Sequence, residues 1–216
     1  MIRSFGLVDV LYLVAAARWT LVLTAAAFLG AALVGIVIAV LRVVPIAPLR
    51  WLAVLYIQVV QGTPLLVWLF ALYFGLTIIG LPVNAWIAAA VAFSLYGGAF
   101  LGEIWRGALV SIAKTQWEAG ASLGLSFAEQ LRYVIVPQSV RVAIPPTVGF
   151  LVQLIKNTSL AATIGLVELT REGQLTSAAT FRPFAVYLTV AALYFAMCFP
   201  LTQWSRSLER KLNGAR

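Results

Sequence analysis

Long apolar runs separated by short polar punctuation make up most of this chain. Residues 19–41 carry no charge, and a helix needs about 20 such residues to cross a bilayer core, which predicts a first membrane span. Arg42, Pro45, Pro48 and Arg50 end it. Residues 51–102 again lack any charged side chain, enough for two crossings. Gly80, Leu81, Pro82 and Asn84 mark a tight connection that divides them. A second interruption, Gln61-Gly62-Thr63-Pro64, predicts an amphipathic or interfacial piece before it and a second span over residues 64–79. Proline is well tolerated at a first helical position. The third span is predicted over residues 85–105.

Residues 107–133 break the pattern with Lys114, Gln116, Glu118, Ser122, Ser126, Glu129, Gln130 and Arg132. This stretch is too polar to span and too long for a simple turn, so it reads as a folded cytoplasmic loop with a short helix inside. Residues 134–154, with Pro137, Pro145 and Pro146, give a fourth span. Residues 156–182 read as a polar loop, 183–204 as a fifth span, and the tail from Arg206 onward is basic. The expectation is an all-α membrane protein with five transmembrane helices in one domain over residues 1–216. Five helices can hardly enclose a pathway alone, so a dimer of ten around a two-fold or pseudo-two-fold axis is expected.

Composition supports the bilayer as solvent. Of 216 residues, 62% are hydrophobic and 10% charged, against about a quarter charged in soluble domains. The net charge of +8 sits at the ends of the apolar runs, which makes it topological. Arg42, Arg50, Arg106, Lys114, Arg132, Arg141, Arg206, Arg210, Lys211 and Arg216 fall on one side of the membrane. Only Arg3, Arg18, Lys156, Arg171 and Arg182 fall on the other. The richer side is cytoplasmic, which places the N-terminus outside and the C-terminus inside. No basic stripe with interleaved exposed aromatics is present, so nucleic acid is not an expected partner. The single cysteine, Cys198, implies no disulfide framework. The absence of histidine excludes His-based catalysis and a His-ligated metal. No removable signal peptide is expected from residues 1–18.

Within the polar loop, Glu118, Ala119 and Gly120 are followed by Gly124, and then by Val134, Val136 and Pro137. Physically, residues 116–123 can form two helical turns, and Gly124 is a good stop. Ala119, Gly120 and Ala121 are small enough to admit a partner surface closely. The pattern resembles the EAA loop of ABC importer permeases: Glu-Ala-Ala, three residues, Gly, nine residues, Ile, one residue, Leu-Pro. Glu118, Ala119, Gly124 and Pro137 match in register, while Gly120 replaces the second Ala. The resemblance implies a type I importer-like permease fold in the bacterial inner membrane. It also implies that Glu118, Ala119, Gly120, Gly124 and Pro137 belong to a coupling helix docking on a separate ATPase subunit. ATP and magnesium would then lie on that partner, two copies of which are expected. This chain has no G-x-x-x-x-G-K-[ST] phosphate loop and is expected to bind no cofactor or metal and to catalyse nothing.

Further segments resemble the polar amino-acid permeases of the histidine, arginine and glutamine type. These are Gly62-Thr63-Pro64-Leu65-Leu66 with Tyr73-Phe74-Gly75-Leu76, residues 98–107 around Glu103, and Lys156-Asn157-Thr158-Ser159-Leu160 with Glu168-Leu169-Thr170. Gln61 and Asn157 stand where that pattern usually carries Arg and Asp. The resemblance implies an extracytoplasmic solute-binding protein, a second permease subunit, identical or paralogous, and a polar amino-acid substrate.

Five residues are candidates for the substrate pathway. Glu103 sits near the end of the third span, where a carboxylate is costly; it either binds a substrate amino group or pairs with Arg106 one turn on. Asn157, Thr158 and Ser159 suit a bent backbone lining a cavity, or ordinary capping of a surface loop. Thr63 serves the same cavity or caps the helix that begins at Pro64. Two other functions compete. An ion-coupled carrier would need buried acidic or histidine relays, and an intramembrane enzyme would need a paired catalytic constellation; neither is visible. A permease for another small solute would share the coupling loop.

Overall fold

The computed structural model describes residues 4–213, all helices and connections with no strand among them. Arg3 and Arg216, two of the residues in the orientation count, lie outside the described residues. Helix α1 (Leu7–Val43) leads by a short turn into α2 (Ala47–Gln61). Helix α3 (Leu65–Ile78) leaves α2 at a bend of 97°. Helix α4 (Ala85–Val110) follows, then the short α5 (Lys114–Ser122). Next comes α6 (Phe127–Ile164), a continuous helical run, then α7 (Leu169–Thr180) and α8 (Pro183–Asn213).

Four of these, α1, α4, α6 and α8, are long and apolar enough to cross a membrane, and the bent pair α2–α3 makes a fifth when taken as one span. Helix α1 runs 37 residues and begins well before the expected start at residue 19. Asp9 accepts from the Gly6 N–H at 2.9 Å and caps that start; a carboxylate there also favours the helix dipole. The expected interruption at Gln61-Gly62-Thr63-Pro64 is the α2–α3 bend. Proline cannot donate to the preceding turn, and α3 starts from Pro64 as its N-cap residue.

Two expectations need correction. The polar loop over residues 107–133 is largely helical at both ends, since α4 continues to Val110 and α6 starts at Phe127. The Ser126 hydroxyl and the Glu129 side chain form a capping box that starts α6 early. The polar loop over residues 156–182 is not a loop. Residues Thr158–Ile164 continue α6 as a tighter 3-10 helix, Gly165 turns the chain at φ 81°, and α7 follows. Polar residues outnumber the apolar ones there, but Leu169, Gly173, Thr176 and Thr180 line one buried face at helical spacing.

Helix α1 lies parallel to α4, and the seam is made by small residues. A Cβ on Gly102 would stand 2.5 Å from Ile38 Cγ2, and one on Gly97 2.7 Å from Ala31 Cβ. On Gly98 it would collide with Val34, and on Gly30 with Ser94. The two backbones therefore approach more closely than any larger residue permits. The main core fills the space between this pair and α3 and α6 with Leu23, Ala27, Leu69, Phe93, Phe150 and Leu154. Helix α8 packs on α6, α7 and the first half of α1.

The tryptophans divide. Trp51 and Trp204 are exposed as an interfacial belt requires. Trp105 instead donates to the Thr147 hydroxyl at 2.9 Å, and Trp68 packs among Ile38, Ala53, Ile57 and Ala99 between α1, α2 and α4.

Gly102→Leu must push α1 and α4 apart. Overpacking of this kind costs about 1–3 kcal/mol. A lowered thermal unfolding midpoint in detergent is expected, with Gly107→Ala, which meets nothing within 4 Å, close to wild type.

Candidate functional site

The short helix α5 carries the EAA-like residues. Gly124 adopts φ 77°, the left-handed conformation open to glycine, and its N–H donates to Ala121 O at 2.9 Å. The helix stops there as the sequence predicted. Glu118 and Ala119 are exposed, and the Glu118 carboxylate makes no hydrogen bond among the described residues. Leu123, at the C-terminal end, is 80% exposed. Gly120 departs from its expected place. It is buried, and a Cβ there would stand 3.0 Å from Gln130 Cγ, so its small size admits the chain's own α6. Gln138, one residue after Pro137, joins the two elements. Its amide donates to Gln116 Oε1 at 3.3 Å and to Val134 O at 2.7 Å. Trp117 stacks on Phe127 with centroids 5.9 Å apart.

Glu103 lies between two arginines. Its carboxylate accepts from Arg42 Nε and Arg106 Nε, each at 2.9 Å. The Arg106 pair was readable from spacing. Arg42 comes from α1, brought in by the parallel seam, and sequence alone carried no sign of it. Both oxygens are engaged, so the group is neutralised where it stands.

Thr63 is half-buried at the α2–α3 bend and makes no capping bond to α3. Beside it, Gln61 Nε2 donates to Ala99 O of α4 at 3.3 Å. Asn157, Thr158 and Ser159 fall where α6 tightens. The Thr158 hydroxyl is fully buried and donates to Ile155 O, and that of Ser159 donates to Lys156 O, each at 2.7 Å. Both are spent on their own turn. Asn157 differs, since its side chain accepts from Gln153 Nε2 at 3.1 Å on an exposed face. Pro146, Gly149 and Gln153 occupy that same face, all exposed. It adjoins a half-exposed stripe of α4, Tyr96 and Phe100, through the stack of Phe100 on Phe150 at 5.8 Å.

A fully buried carboxylate escaped the sequence reading. Glu168 caps α7 by accepting from the Arg171 N–H at 2.9 Å. It also accepts from Thr20 of α1 at 3.3 Å and Tyr194 of α8 at 2.9 Å. Thr20 in turn accepts from the Leu169 N–H. One carboxylate thus fastens three helices. The signal present was an acidic residue just ahead of an amphipathic stretch, an N-cap pattern. Among the described residues no cluster of His, Cys, Asp and Glu could hold a metal.

Residues 31–214 match the family described as the binding-protein-dependent transport system inner membrane component. A probable amino-acid ABC transporter permease, YckA of Bacillus subtilis, is 38% identical over 93% of this chain and 88% of its own length. The glutamine transport system permease GlnP of Escherichia coli is 39% identical over 74% of each chain. Among solved structures, an amino acid ABC transporter crystallised with histidines aligns at a TM-score of 0.88 and 30% identity. That alignment covers 97% of this chain and all of that one. The MetNI methionine transporter aligns at 0.74 with 18% identity, a likeness of fold.

Glu168→Ala strips an acceptor from a buried N–H and two hydroxyls, at roughly 1–3 kcal/mol for each group left unpaired. A clear fall in unfolding midpoint is expected. Glu168→Gln should recover most of it, because its amide can still accept from Arg171 N–H and donate to the hydroxyl oxygens.

Proposed function

The chain belongs to the family of binding-protein-dependent transport system inner membrane components, and from that premise we propose that it carries polar amino acids inward. It is a non-catalytic permease subunit of an ABC importer, resident in the inner membrane and working with an ATPase and a binding protein. The polar amino-acid substrate rests on permease relatives named for amino acids and on the Gly62-Thr63-Pro64 and Lys156-Asn157-Thr158-Ser159 segments.

The observation that carries the coupling is the exposed end of α5. A short helix projecting Glu118, Ala119 and Leu123 beyond the bundle, pinned to α6 by Gly120–Gln130 packing, is a docking element. Two ATPase copies, holding ATP and magnesium, would take one such helix from each of two permease subunits. A homodimer or a paralogous pair supplies the ten spans. In this reading α5 is cytoplasmic, the N-terminus and α7 lie outside, and the basic end of α8 lies inside, as the charge count requires. The binding protein meets the α7 side. Glu103, clamped by Arg42 and Arg106, serves as a tie between α1 and α4 in this state. Contact with solute falls to Asn157 and the exposed face around it, and to Thr63 at the α2–α3 bend.

Reversal of one exposed charge tests the docking. Glu118→Arg should leave the unfolding midpoint unchanged. It should cut ATPase retained through co-purification, and ATP-driven uptake, by about tenfold or more, equivalent to ~1.4 kcal/mol of docking energy. Full retention of the ATPase by the variant would remove α5 from the interface.

A further inference from the structure

Gln153 is an exposed amide at membrane depth. Its neighbour Leu154 is fully buried in the core that holds Leu23, Ala27 and Ala31 of α1, residues from the middle of the charge-free 19–41 run. The helical run continues beyond Gln153 to Ile164, so Gln153 lies inside the run and not at its end. Most exposed residues on α1 at this depth are apolar, Leu21, Val22, Leu29 and Leu33 among them, and suit lipid. An amide facing hydrocarbon loses its hydrogen bonds to water at a cost of several kcal/mol.

The bond from Gln153 Nε2 to Asn157 Oδ1 is the one hydrogen bond that these two side chains make among the described residues, and it joins them to each other. It leaves the Gln153 carbonyl oxygen as an open acceptor and the Asn157 amide N–H group as an open donor. They stand one helical turn apart beside the Phe100–Phe150 stack. We infer that Gln153 and Asn157 form an amide site on the open face of α6 that contacts the transported solute, and that this solute is a polar amino acid without net positive charge. The inference rests on the importer reading above and goes beyond it in residue and in substrate class.

The charge balance gives the class. The acceptor suits an ammonium group and the donor a carboxylate, so a zwitterion satisfies both. The carboxylate of the third span does not serve them, since Glu103 is already held by two guanidinium groups. Lys156, exposed beside Asn157, adds positive charge at this face. A solute with a cationic side chain would meet repulsion there without a counter-ion, and in a medium of low dielectric that is costly.

The test uses the assembled transporter in proteoliposomes with a Cys198→Ser background. Gln153→Cys is treated with a water-soluble, membrane-impermeant methanethiosulfonate, and Leu33→Cys, at a position 69% exposed, serves as the lipid-facing control. Thiols react as thiolates, which hydrocarbon suppresses. The cysteine at 153 should label at least about tenfold faster than the one at 33. Added L-glutamine should slow it, and L-arginine should not. A cysteine at 153 as inert as that at 33 overturns the site, because lipid or the partner subunit then covers the face. Equal protection by L-arginine overturns the substrate class. ATP-driven uptake by the Cys198→Ser transporter in the same vesicles reports on the importer reading separately. Uptake with an inert position 153 sinks the amide site alone, while no uptake of any amino acid sinks the reading beneath it.

Discussion

Close approach of two backbones sets the geometry of everything else. Helices α1 and α4 meet along Gly30, Gly35, Gly97, Gly98 and Gly102, where added Cβ atoms would run into Ser94, Leu101, Ala31, Val34 and Ile38. In a bilayer, apolar burial between helices gains little, because lipid tails are as apolar as leucine; contact area and interhelical hydrogen bonds decide association. A glycine-lined seam maximises contact. The two helices run parallel along it, and this brings Arg42 to Glu103. The intervening chain must then cross back, which α2 and α3 do together.

The second constraint is that backbone and side-chain polar groups have no water to turn to. The chain answers locally. Hydroxyls of Thr24, Thr77, Thr147, Thr180, Thr189 and Thr202 each donate to the carbonyl one turn back. Two carbonyls near the prolines take a side-chain donor as well: Ser205 donates to Pro145 O, and the Gln138 amide to Val134 O. Glu168 is the costliest member of this set, and it is matched by one backbone and two hydroxyl donors. Gln153 and Asn157 keep open valences, as does the buried indole N–H of Trp68.

What the sequence made legible follows the same physics. Charge-free runs announced the spans, because hydrocarbon forbids charge over a fixed thickness. Gly124 announced a helix stop, because few residues take positive φ cheaply. The α2–α3 bend was visible in Gln61-Gly62-Thr63-Pro64. Long-range pairings were not. Arg42 with Glu103, and Glu168 with Thr20 and Tyr194, depend on helix packing that no local spacing encodes. The 156–182 segment misled because a helix packed among other helices needs only a narrow apolar stripe, and Leu169, Gly173 and Thr176 do not read as one. Gly120 misled in a different way. Its smallness was assigned to an outside partner, yet the close neighbour is Gln130 of the same chain.

The proposed coupling helix and the proposed amide site are joined by one element. Helix α6 begins beside α5, to which it is joined by Gly120–Gln130 packing and the Gln138–Gln116 hydrogen bond. It ends in the 3-10 turn beyond Asn157. Any displacement of α5 therefore arrives first at the base of α6. Between that base and the amide face lie a π turn over Gln130–Ile135 and two consecutive prolines, Pro145 and Pro146. Helices bend at such features, because the regular hydrogen-bond ladder is already broken there. Val148, Phe150, Val152, Leu154 and Ile155 beyond them are buried and hold the upper part in the core. Bending at the prolines would let a push at the base turn the amide face relative to the coupling helix without unpacking the glycine seam between α1 and α4.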